Sequence, residues 1–238
     1  MRSVSRLHKL VGWHKLVGWI VPAMAVFIAG PAAAAVIGHD QVQPIPAAAE
    51  SYMSKFQPVL KVEDGCVPFP AVDASGNTNG GLSPTGSRNG GCSSSVGQVY
   101  VRAQSHYGLC AVMYAWYFPK DQVLDGHRHD WESAVVWLSS CEDSASVVAV
   151  SYSAHSGYDK STSPPLDGSH PKVRYYTNGI TNHQLGSTTS QGGQQPLIQW
   201  EKMPAAARDA LTNTSFGDGN VPMKDANFAN NIVKADFR

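Results

Sequence analysis

Residues 126–132 read Gly126-His127-Arg128-His129-Asp130-Trp131-Glu132, seven positions holding two imidazoles, two carboxylates, a guanidinium and an indole. Burying so many ionisable groups costs several kcal/mol each unless they are paired, hydrogen-bonded or bound to a metal. The apolar run Ala134-Val135-Val136-Trp137-Leu138 follows directly, so the heptad leads into a core strand. If alternation begins near Arg128, then Arg128, Asp130 and Glu132 share one face while His129, Trp131 and Ser133 share the other, which makes Trp131 a core residue. Two carboxylates side by side repel unless a cation or a proton lies between them. His127 reaches the same place from the preceding turn, which Gly126 makes permissive. Asp121, after Pro119-Lys120, adds a third carboxylate across a hairpin whose loop contains Asp125. Three oxygen donors and one imidazole form a hard site, suited to calcium, magnesium or manganese rather than to zinc or copper.

Two other readings compete. The bland one is a solvated acidic turn with Arg128 in a salt bridge. The enzymatic one makes His127 and His129 a zinc pair with Glu132 as general base. It meets a geometric obstacle, because a His127 inside the strand has the parity of His129, and both then face away from the carboxylates. The chain contains no H-E-x-x-H, no G-x-S-x-G and no P-loop. A metal-dependent hydrolase therefore rests on a metal-activated water alone.

The elements that must position these residues read as strands from residue 98 onward. Val99–Arg102, Ala111–Phe118, Asp130–Leu138, Ser146–Ser153 and Val173–Tyr176 are rich in β-branched and aromatic residues between Gly, Pro, Asn and Asp punctuation. Ahead of them, 65–97 is dense in Gly, Ser, Asn and Pro and reads as a long loop that needs tying down. Helix-forming composition occurs at 47–56 and after Pro204, and Asp225 is placed to cap a further helix to Ala235. The expected fold is mainly β, an antiparallel β-sandwich with a few peripheral α-helices.

Residues 1–35 read as a cleaved signal peptide, leaving 36–238 as a single domain. Arg2, Arg6, Lys9 and Lys15 precede an apolar stretch from Leu16 to Ala29, and Ala32-Ala33-Ala34 offers the small residues of a cleavage site. The stretch is short for a membrane span of roughly 20 residues, although an uncleaved anchor is the alternative. Removing the leader takes four of the 18 basic residues and none of the 18 acids, so the net charge moves from 0 to −4. A mildly acidic exported chain is a poor nucleic-acid binder. All four cysteines, Cys66, Cys92, Cys110 and Cys141, lie in the mature part. An even count in an exported chain points to two disulfides, with three connectivities open; the lack of C-x-x-C spacing argues against zinc.

The heptad resembles the signature of the necrosis- and ethylene-inducing-peptide-like proteins, secreted cytolysins of plant-associated microbes. The resemblance extends through Ala111–Asp121 before the heptad, Asp64–Asp73 around the first cysteine, and Phe216–Pro222 with Asp225–Phe228 near the C-terminus. It implies a β-sandwich similar to actinoporins and fungal lectins. It further implies a calcium or magnesium ion held by Asp121, His127, Asp130 and Glu132, some of them through water, with Asp125 as the substitute for Asp121 because the intervening loop is shorter than in many relatives. Arg128, His129 and His183 would line or support the cavity, and Cys66 would pair with Cys92, leaving Cys110 with Cys141. The implied function is not enzymatic: a monomer in solution that binds glycosylinositol phosphorylceramide head groups of plant plasma membranes, permeabilises eudicot cells and provokes necrosis and immunity. Some members with an intact heptad are not toxic, so a sugar-binding or immune-eliciting role is the alternative.

Overall fold

The computed structural model describes residues 34–124, 126–155, 157–179 and 182–238. The expected leader lies outside them apart from Ala34 and Ala35. The described chain runs through β1 (Val36–Ile37), α1 (Ser51–Lys55), β2 (Val59–Val62), β3 (Thr78–Asn79), β4 (Val99–His106), β5 (Leu109–Asp121), β6 (His127–Leu138) and β7 (Val147–Ala154). It continues with β8 (Gly157–Ser161), β9 (Leu166–Asp167), β10 (His170–Asn178), β11 (Asn182–Ser187), β12 (Leu197–Gln199), α2 (Ala205–Asn213) and α3 (Asp225–Ala235). All five strands read from the sequence are present, and the fold is mainly β with few helices. Short β2, β8, β9, β11 and β12 had no clear apolar signature.

Six strands form one sheet in the order β12-β4-β5-β6-β7-β8, and a second runs β11-β10-β2 with β9 beside β10. Neighbours are antiparallel except at one edge of each sheet, where β12 joins β4 and β2 joins β10 in parallel. β5 is central because its apolar run offers side chains to both faces, and every position after Leu109 is buried. The sheets meet where Phe118 of β5 stacks on Tyr175 of β10, ring centroids 3.8 Å apart. That contact brings β10 and β11 over the hairpin end that carries the heptad.

The disulfides are Cys66–Cys92 and Cys110–Cys141, with Cα atoms 5.0 and 5.2 Å apart, the pairing the resemblance implied. Cys66–Cys92 closes most of the Gly- and Ser-rich loop, which contributes β3 to a short parallel pair with β1. Asp225 departs from expectation. Lys224 occupies the cap position of α3 and no side chain caps it; Asp225 is the first helical residue, and its carboxylate pairs with Arg102 at 2.7 Å.

Candidate functional site

The β5–β6 hairpin sets Asp121 opposite His127, Phe118 opposite Asp130 and Trp116 opposite Glu132. His127 lies inside the strand, where simple alternation would turn it away from the carboxylates. His129 prevents this, because its φ of +65° places it in the left-handed region, which breaks the regular alternation. His127 consequently joins Asp130 and Glu132 on the wall of one cavity. Arg128 leaves that face, contrary to the alternation expected from sequence. Its guanidinium donates to Gly80 O and Ser83 Oγ, both at 2.9 Å, and so pins the long loop. His129 turns toward the aromatic side, where Nδ1 meets the Tyr117 hydroxyl at 2.7 Å. Burial, then the neighbouring Arg128 and His127, push its imidazole down to about 4. Trp131 is 8% exposed and packs on Tyr100, Tyr117 and Phe216, as a core residue should, while its edge borders the cavity.

The carboxylates are buried. Asp130 is 7% exposed and accepts the Tyr175 hydroxyl at 2.8 Å. Burial and then the charge of Asp121 push it up to about 6, against the Tyr175 hydrogen bond and the nearby imidazoles. Glu132, also 7% exposed, accepts a hydrogen bond from Ser153. Burial, followed by repulsion from Asp130, raises it well above the usual carboxylate range. Asp121 is fully buried: Oδ1 accepts Nδ1–H of His183 at 2.5 Å and Oδ2 accepts the His183 backbone N–H at 3.1 Å. His183, in β11, is thus a buried partner behind the site. His127 Nδ1 donates to His129 O at 2.9 Å, and Nε2 lies 3.9 Å from Asp121 Oδ2.

The cavity measures about 300 Å³. Asp130, Glu132 and His127 face Asn231 and Lys234 of α3 and the loop Asp218-Gly219-Asn220 across it. Asp125, which the resemblance offers as a substitute for Asp121, lies outside the described residues. Sequence reasoning missed Tyr175 and Ser153, which hold Asp130 and Glu132, because a lone tyrosine or serine in a strand carries no motif.

The model of the family described as "Necrosis inducing protein (NPP1)" matches residues 50–235. The chain belongs to the necrosis-inducing protein family. Necrosis-inducing protein NPP1 of Phytophthora nicotianae is 49% identical over 216 residues, covering 85% of this chain and 91% of that protein. A solved structure of NLPPya in complex with mannosamine is 48% identical, with a TM-score of 0.81 over 86% of this chain and 100% of that one. The crystal structure of the non-toxic HaNLP3 protein is 40% identical, with a TM-score of 0.79 over 83% of this chain and 98% of that one. The relatives of this member of the necrosis-inducing family thus include one named for inducing necrosis, one solved with an amino sugar and one described as non-toxic.

Proposed function

We propose that this protein is a secreted, cation-dependent cytolysin that grips the sugar head groups of plant glycosylinositol phosphorylceramides and permeabilises eudicot membranes without enzymatic turnover. The observation that carries this reading is the cavity whose lining brings together Asp130, Glu132 and His127. Two buried carboxylates that repel one another are costly unless a proton or cation compensates them, and oxygen donors with one imidazole suit calcium or magnesium. Among the described residues no three of the His, Cys, Asp or Glu side chains form a ready ligand shell. Asp130, Glu132 and His127 would accordingly hold the ion together with water, with Asp121 as a further donor. A hard cation with open positions supplies coordination for sugar hydroxyls. The mannosamine complex of the NLPPya relative supports a saccharide as the ligand.

Export is part of the same reading: the basic and apolar leader with its small-residue site, the single domain that follows, and two disulfides suit a cleaved, extracellular protein. A non-toxic, sugar-binding or immune-eliciting member is the second reading, favoured by the likeness to HaNLP3. Calorimetric titration with calcium and magnesium, then with mannosamine at saturating cation, tests the first step. Expected are cation binding and sugar binding that a chelator abolishes; sugar binding indifferent to chelator would overturn the reading. Infiltration of eudicot leaves with the binding-competent protein separates the two readings, since necrosis is expected only from the cytolysin.

A further inference from the structure

Asp121 is the inner end of a chain of polar contacts that leads away from the cavity. His183 donates to it twice, from Nδ1 and from the backbone N–H. On the far side of the ring, Nε2 meets Thr177 Oγ1 at 3.1 Å, and Thr177 donates to Asp64 Oδ2 at 2.7 Å. Asp64 in turn pairs with Arg88. Two contacts fix the imidazole plane. Tyr175 stacks on it with ring centroids 4.7 Å apart, and Gly65 lies so close that a Cβ there would fall 2.7 Å from Nε2. Gly65 also holds φ at +82°, so the close approach and the backbone both require glycine. Asp64 and Gly65 immediately precede Cys66, and Arg88 lies within the loop that Cys66–Cys92 closes. Cys110 stands at the opposite end of β5 from Asp121, roughly 35 Å away along an extended strand.

We infer that Asp64, acting through Thr177 and His183, is a positioning residue for Asp121, and that Cys66–Cys92 anchors this chain whereas Cys110–Cys141 does not. The inference rests on the proposed ion site. A carboxylate held by an oriented imidazole stays in one rotamer, and losing such an outer partner typically costs about 10–100-fold in metal affinity. The two disulfides then have different duties: one keeps the ion site in register, and the other ties the distant end of the β5–β6 hairpin.

The experiment combines calcium calorimetry with imidazole nitrogen spectra of the metal-free protein, in which the His183 Nδ1–H signal reports its bond to Asp121. Thr177→Val is expected to weaken calcium binding about tenfold or more and to shift the His183 signal, and Thr177→Ser to restore both. Asp64→Asn is expected to act in the same direction as Thr177→Val. Cys110→Ser with Cys141→Ser is expected to lower the melting temperature but leave calcium affinity unchanged, whereas Cys66→Ser with Cys92→Ser weakens binding. Wild-type affinity and an unmoved His183 signal in Thr177→Val would overturn the positioning role. An equal loss of affinity from the two cysteine pairs would overturn the division between disulfides. If wild-type protein binds no calcium, the ion reading fails, and an unmoved His183 signal in Thr177→Val then removes the positioning role as well.

Discussion

His127 and Asp130 open into the same cavity although alternation along one strand would send them to opposite faces, because His129 between them holds φ at +65°. A left-handed residue that is not glycine costs about 1–3 kcal/mol and persists where its surroundings over-determine it. Here the contact with Tyr117 and the edge-on packing against Phe216 do so.

His129→Gly and His129→Val both remove those contacts, but only valine resists the backbone conformation. Valine is expected to lose about 1–3 kcal/mol more than glycine in urea denaturation, and to weaken cation binding more. Equal stability of the two variants would show that the left-handed turn does not set the site.

Tyr175→Phe keeps the ring that stacks on Phe118 and His183 and deletes the hydroxyl that Asp130 accepts at 2.8 Å. A hydrogen bond to a charged group contributes about 1.5–3 kcal/mol. The variant should therefore fold, lose stability on that order at neutral pH, and bind calcium more weakly. Unchanged calcium affinity would remove Tyr175 from the site.

The titration of Asp130 gives the metal-free protein a pH signature. Its folded pKa, about 6, lies above the ordinary aspartate value of 3.8, so the native state binds this proton more tightly than the unfolded chain. The resulting stability is fully present below the unfolded value and is lost as pH rises through about 6. Glu132, raised by burial and then by the charge of Asp130, acts in the same sense. In chelator, melting by calorimetry is expected to be higher near about pH 5 than near about pH 7, with Asp130→Asn removing much of the difference. Calcium should stabilise increasingly over the same window. A chelated Asp130→Asn protein with the wild-type pH profile would contradict the assignment.

The long strands were legible in the sequence because β5 and β6 carry continuous apolar runs ending in punctuation, and the pairing of Asp121 with His127 follows from the short loop between them. The parity of the heptad was legible only from Asp130 onward. The conformation of His129 is imposed by Tyr117, Phe216 and the loop at Gly81, all distant in sequence or on another strand, so alternation misplaced Arg128 and the strand position of His127. Asp225 had the composition of a cap but an ion pair with Arg102 instead. Tyr175, Ser153 and the path from Asp121 to Asp64 depend on how the second sheet lies against the first, which no local pattern encodes.

The most direct measurement is dye release from vesicles containing plant glycosylinositol phosphorylceramide, with calcium, with chelator, and with Asp130→Asn in place of the wild-type protein. Release by wild-type protein in calcium that chelator and Asp130→Asn both abolish, and no release from vesicles lacking the sphingolipid, is the expected result. Release that persists in chelator, or correctly folded protein that binds calcium yet releases nothing, would contradict a cation-dependent cytolysin.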